Sequence, residues 1–214
     1  MNSHGFENGV GAPHGRLDWY TPAELSPERR VLYGLIASGP RLTSQHLSPL
    51  TDEFGRLEGP FNAMLVSPAL GTAVQAVGAS IRYSTLLSDR ERELAILLCA
   101  AHEQSDFEWI AHVRIALASG VSDDEIHAVK IGEPLDAFDD IDRAVVLCIR
   151  TLLVERDLDD SQFEIAAESL GVVKVVELIA LVGYYQTLAL TLRALRVPLP
   201  TDSVGPWMRS AAES

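Results

Sequence analysis

Three helix starts are written into this chain at equal spacing, and nothing else in it constrains the fold as strongly. The tetrapeptides SDRE, SDFE and SDDE begin at Ser88, Ser105 and Ser122, successive starts lying 17 residues apart. Each reads as an S-x-x-E capping box, in which the serine oxygen accepts from an orphan first-turn N–H and the glutamate reaches back to the serine N–H. Gly120 and Gly132 mark two of the stops, because glycine readily takes the left-handed conformation that closes a helix.

The flanking text is also helical. Thr21 and Pro22 suit a cap and a first-turn position ahead of an apolar face made by Val31, Leu32, Leu35 and Ile36, and Gly39-Pro40 ends that helix. Residues 41–60 read as a connecting loop. Gly59-Pro60 leads into a short helical segment, and Pro68 opens a helix through Ile81 that Ser84-Thr85 breaks. Later helices are expected over residues 140–155, 160–170 and 172–196, with Pro198 and Pro200 past the last one. No run of alternating β-branched residues between turn signals marks a strand. The expectation is an all-α helical bundle in one domain over residues 19–200, with a flexible arm at 1–18 and a tail at 201–214.

Composition narrows the function. A net charge of −13 over 214 residues repels phosphate backbones and argues against nucleic acid as a partner. The N-terminus has neither a basic region nor an apolar one of signal-peptide type. The uncharged run within the last helix, residues 178–192, is 15 residues, short of the roughly 20 that a spanning helix needs. The expectation is therefore a cytoplasmic protein without a membrane partner. Cys99 and Cys148 make no disulfide framework; both fall in apolar helical patterns, as buried core thiols do.

Candidate chemistry lies in residues 88–120. Glu93 falls among Leu94, Leu97 and Leu98, where a carboxylate loses hydration and needs a partner or a raised pKa. The bland alternative is a first-turn carboxylate paired with Arg90 or Arg92. Glu108 is either the fourth residue of the second capping box or an acid–base group. His112 stands four residues after Glu108 on the same helical stripe, and imidazole is the side chain best suited to proton transfer near neutrality. His102 adds a fourth candidate ligand to Glu93, Glu108 and His112, yet their spacing fits no metal motif. No nucleotide-binding loop or serine-hydrolase elbow is present. The last helix is apolar on nearly every face apart from Glu177, Gln186 and Arg193, so part of it needs cover from a second subunit. Tyr184 and Tyr185 on it could offer phenol donors to a pocket or pack in the core.

The segment RERELAILLCAAHEQSDFEWIAHVRIALASGVSDDEI resembles the carboxymuconolactone decarboxylase family, the all-α group that includes alkylhydroperoxidase D. More loosely, the resemblance runs from about Arg16 through GPFNAMLVSPALG to the terminal helix. In the peroxidase branch the motif is a Glu, eleven intervening residues, C-x-x-C, three intervening residues and a His. Here the Glu falls on Glu93 and the His on His112, while Ser105 and Glu108 stand at the two cysteine positions. A thiol peroxidase needs both sulfurs, so the resemblance implies the decarboxylase side: a cofactor-independent lyase acting on a small unsaturated acid or lactone. It also implies His112 as proton donor and acceptor, Glu93 as its relay carboxylate, and Glu108 as a second acid–base group. His102, Asn62, Phe61, Tyr83 and Trp109 are weaker pocket candidates. No metal or cofactor is expected, and relatives of this kind form homotrimers or homohexamers. The competing expectation is a non-catalytic helical oligomer that binds a small apolar ligand or a protein partner.

Overall fold

The computed structural model describes residues 12–38, 50–132, 135–200 and 203–207. Nine α-helices are present among them: α1 (Pro27–Ala37), α2 (Pro60–Val66), α3 (Pro68–Tyr83), α4 (Asp89–His102), α5 (Asp106–Ala118), α6 (Asp123–Ile131), α7 (Asp140–Val154), α8 (Asp160–Leu170) and α9 (Val172–Leu195). The all-α expectation holds. The first helix starts later than Thr21-Pro22 suggests: Pro22–Glu24 is a single 3-10 turn, and α1 is capped by Ser26 with Pro27 in its first turn. Its expected stop at Gly39-Pro40 lies outside the described residues.

Helix α4 is the axis of the bundle. It packs against α5, α6, α7 and α9, and every residue from Glu91 to Ala100 is buried. Such a helix needs a start that satisfies its own donors. Ser88 supplies one: its N–H donates to Glu91 Oε2 at 2.7 Å, and its hydroxyl accepts from the Glu91 N–H. Ser122 and Glu125 repeat that box on α6. Both glutamates are tied further, Glu91 to Lys174 at 2.6 Å and Glu125 to Arg90.

Helix α9 is long and apolar enough to cross a membrane by those two measures alone, a test that a core helix also meets. One face buries Val175, Leu178, Leu181, Val182, Leu188 and Leu192 in the core. Its polar residues are spent on tertiary bonds: Glu177 accepts from the Leu86 N–H, while Gln186 and Arg193 both reach Glu103. Val172, Val173, Val176, Ile179 and Leu190 remain exposed on the other side.

Of the arm expected to be flexible over residues 1–18, residues 1–11 lie outside the described residues. In the rest, Ala12–His14 and Leu17–Trp19 form an antiparallel hairpin, β1 and β2. The Arg16 N–H donates to Leu195 O at 2.8 Å, which fastens the hairpin to the end of α9. His14 is fully buried and stacks on Trp19 at 4.5 Å, and the Arg56 guanidinium covers the Trp19 ring at 4.0 Å. Of the expected loop at 41–60, residues 50–59 are described, and Trp19 Nε1 donates to Leu57 O within them. Of the expected tail, residues 203–207 are described; Trp207 packs edge-on against Trp109, and its N–H donates to Asp106.

Burial lowers the His14 pKa from 6.5 to about 4, with Arg56 adding to the same effect. Between those values the unfolded chain takes up a proton that the folded chain refuses, so stability falls as pH drops through that window. The full effect is on the order of 3 kcal/mol. Thermal unfolding from pH 7.5 to 4.5 should show a steeper loss for the parent than for His14→Phe, which keeps the stacked ring and removes the proton site. Parallel curves would mean that His14 is not buried neutral.

Candidate functional site

One apolar cavity collects the acid–base residues. Helix α5 contributes Phe107, Glu108, Ala111, His112 and Ile115; α3 contributes Gly78 and Arg82; α9 contributes Tyr184, Tyr185 and Leu188. Pro60, Phe61 and Glu58 close it from the α2 side. The space open to water-sized spheres is about 80 Å³. One ordered water needs roughly 10–15 Å³ by that measure, so a ligand of about half a dozen heavy atoms fits.

Glu93 anchors the site from below. It is fully buried on α4, and its Oε2 lies 2.6 Å from His112 Nδ1. Burial alone would raise its pKa. The His112 ring, with Arg82 and Arg92 farther off, outweighs that and holds the carboxyl below its ordinary value. Glu93 is therefore ionised, contrary to the raised pKa expected of it. An ionised acceptor requires the proton on His112 Nδ1, which leaves Nε2 facing the cavity. The Arg90 alternative is also excluded as the partner of Glu93, since Arg90 is committed to Asp142 and Glu125. Arg92 Nε lies 3.5 Å from Glu93 Oε1, and neither atom has a hydrogen-bond partner.

Glu108 behaves in the opposite way. Its capping role fails: Ser105 makes no side-chain cap, and no box forms. The working caps Ser88 and Ser122 have ψ near 160°, whereas Ser105 has ψ 93°. Gln104 just before it takes a left-handed φ of 50° in the tight turn from α4. That turn rotates the serine away from its helix and leaves the Glu108 carboxyl free. The carboxyl is buried, with Oε2 3.6 Å from His112 Nε2 and Oε1 unpartnered. Burial pushes its pKa up, reinforced by the Glu93 charge and opposed by His112 and Arg82. The Tyr185 hydroxyl lies 3.5 Å from His112 Nε2, and burial keeps it a neutral phenol with a pKa well above its ordinary value.

Of the weaker candidates, only Phe61 lines this cavity. Asn62 is buried and structural, its Nδ2 donating to Asp18 O at 3.0 Å and tying α2 to the hairpin. Trp109 faces Trp207. Tyr83 is 42% exposed, and His102 sits by a different hollow together with Lys130 and Arg150. Sequence reasoning missed Arg82. A lone arginine in the last turn of a helix reads as a complement to the helix dipole, and only the approach of α5 and α9 makes it a cavity wall. Its pKa is raised: burial acts to lower it, but Tyr185 and Glu93 outweigh that, so the guanidinium stays cationic. Among the described residues, no group of three or more His, Cys, Asp or Glu side chains is arranged to hold a metal ion. Cys99 and Cys148 are free and buried; burial raises the Cys99 thiol strongly and the Cys148 thiol to about 11.

The model of the carboxymuconolactone decarboxylase family matches residues 68–145. No curated protein matches the chain. Among solved structures, the Agrobacterium tumefaciens protein ATU0492, of unknown function and described as a candidate antioxidant defence protein AhpD, superposes with a TM-score of 0.58. The two are 19% identical, over 66% of this chain and 97% of that one. The debrominase Bmp8 in complex with 2,3,4-tribromopyrrole superposes with a TM-score of 0.60 at 14% identity, covering 82% of this chain and 87% of its own. Its apo form gives the same values. Arg82, Glu93, Glu108 and His112 all lie in the stretch that matches the carboxymuconolactone decarboxylase family model, within a helical bundle similar in fold to the AhpD-like protein.

Proposed function

We propose that this cavity is the active site of a cofactor-independent lyase of decarboxylase type, acting by acid–base catalysis on a small unsaturated acid or lactone. The observation that carries the reading is the pairing of two carboxyl groups around one imidazole. Glu93 is held ionised on Nδ1 of His112, and Glu108 is pushed toward its protonated form 3.6 Å from Nε2. Environments that drive two titratable groups apart separate the roles of base and acid.

In the proposed reaction the bond between the substrate carboxylate and its ring carbon breaks, and CO2 departs. The electron pair passes through the unsaturated system to the lactone carbonyl oxygen as an enolate. A proton from Glu108 or His112 Nε2 then closes the new C–H bond, and solvent restores it. The stoichiometry is one proton taken up for each CO2 released, with no change of redox state. A thiol peroxidase reading has no support, since Ser105 and Glu108 stand where the dithiol is needed and both cysteines are buried. A purely binding role would suit a Glu108 spent on its cap and a solvated His112. Glu108 is uncapped and His112 is buried, and this weighs toward catalysis. A ligand of comparable size class, 2,3,4-tribromopyrrole, is bound by the debrominase of similar fold.

Screening unsaturated lactone acids for CO2 release tests the reaction. With a substrate in hand, Glu93→Gln and His112→Ala should each lower turnover by roughly 100-fold or more. Removing one partner of a buried ion pair costs about 3–5 kcal/mol. The double variant Glu93→Gln/His112→Ala, which leaves no stranded charge, therefore serves as the folding control. Parental turnover in both single variants would place the chemistry elsewhere.

Glu108 allows a test that separates function from structure. A carboxyl whose folded pKa is raised destabilises the fold as pH climbs from the ordinary carboxylate range through the raised value. Glu108→Gln should therefore match or exceed the parent in melting temperature at neutral pH while losing turnover. In the parent, turnover should fall as pH rises and the proton donor ionises. Loss of both stability and activity in Glu108→Gln would mean that the carboxyl is structural.

The same reading includes assembly. The exposed apolar residues of α9 are a surface of the kind that subunits cover, and a homotrimer or homohexamer is expected. Light scattering showing a monomer at micromolar concentration would refute this.

A further inference from the structure

Proton transfer leaves the cationic Arg82 in the cavity wall without a task. Arg82 lies one helical turn after Gly78, and both line the space. An arginine in the last turn of α3 could serve the helix dipole, but that service needs only a solvated side chain beside the terminal carbonyls. Arg82 instead faces Tyr185 and a wall formed by Pro60, Phe61, Ala111, Ile115 and Leu188. Among the described residues it forms no ion pair: Glu93 is bound to His112, and Glu108 is pushed toward neutrality. A guanidinium in an apolar wall, without a carboxylate on its fork, is a positive charge prepared for an oxygen anion.

We propose that Arg82, with the Tyr185 phenol beside it, is the oxyanion site of this cavity, and that it selects ligands whose lactone or carbonyl oxygen bears negative charge. The inference rests on the proposed lyase reading and completes it, because an enolate needs a sink as well as a proton. The departing carboxylate is the wrong occupant. Binding it to Arg82 would stabilise the ground state and oppose loss of CO2, whereas binding the enolate oxygen stabilises charge that appears only as the bond breaks. Anion site and proton donor then come from different helices, Arg82 from α3 and Glu108 and His112 from α5, around one small cavity.

The test uses binding, so that it stands apart from turnover. Tetronate, an enolised five-membered lactone that is anionic at neutral pH, is titrated calorimetrically into the full chain beside neutral 2(5H)-furanone. Tetronate should bind the parent and lose roughly tenfold or more in affinity in Arg82→Gln, the scale of one charge-assisted hydrogen bond. Arg82→Lys should restore part of it, and Tyr185→Phe should show a smaller loss. Furanone affinity should be the same in the parent and Arg82→Gln. Glu108→Gln should retain tetronate binding, so a failure of the lyase reading would leave this pattern intact. Absence of tetronate binding in the parent, equal binding in Arg82→Gln, or equal weakening of both ligands would overturn the proposal.

Discussion

The bond from Glu93 to His112 is the point at which the core and the site become one object. Glu93 has no route to water, because α4 is covered on every side from Glu91 to Ala100. A bare carboxylate in that position would lose several kcal/mol of hydration. The His112 ring at 2.6 Å supplies the compensation, and in doing so it fixes where α5 lies against α4. The same contact fixes which imidazole nitrogen carries a proton and which one looks into the cavity. Packing of two helices and orientation of a buried imidazole are thus one event.

From that contact the electrostatics of the cavity follow by position alone. Glu93 and Glu108 are the same functional group, both buried, and both within reach of one imidazole. Glu93 receives a hydrogen bond and the combined attraction of His112, Arg82 and Arg92, which exceeds its burial penalty. Glu108 receives no hydrogen bond, lies farther from the ring, and feels the Glu93 charge as well, so burial prevails. One carboxyl stays charged and the other tends to keep its proton. Arg82 balances the Glu93 charge at longer range without quenching it. An apolar cavity can therefore hold an ionised carboxylate, a carboxyl that tends to keep its proton, and a cation side by side.

Much of this arrangement was legible in the sequence, and the parts that were not have physical reasons. Helix order and the caps at Ser88 and Ser122 could be read because capping and periodicity are local properties, whereas the Glu93–His112 pairing is implied by the family resemblance. SDFE looks identical in kind to SDRE and SDDE, yet its serine does not cap. The difference lies in one backbone angle that the turn at Gln104 imposes. The direction of the Glu93 shift escapes the sequence because burial is visible in an apolar pattern while the partner that outweighs it is not. Arg82 and the hairpin at residues 12–19 escape it for a related reason. A single arginine after an apolar helix, and a histidine among glycines, gain their surroundings only from segments distant in sequence: α5 and α9 for Arg82, Arg56 and α9 for the hairpin.

The lost cap at Ser105 links local stability to chemistry. Forgoing a serine cap costs a helix about 1 kcal/mol, and the chain makes that cap at two other starts of the same design. A carboxylate in the first turn of α5 would also gain about 0.3–1 kcal/mol from the helix dipole if it were ionised and exposed. Both effects favour the ordinary capping box. Burying an unpaired carboxylate opposes them with a penalty of several kcal/mol. That penalty outweighs the other two together, so it decides the state of Glu108. The residue avoids it by tending to keep its proton, which is the condition for giving the proton away. Ser105 has ψ 93° where the working cap at Ser122 has 161°. That rotation goes with a helix-start glutamate that is uncapped, buried and next to His112.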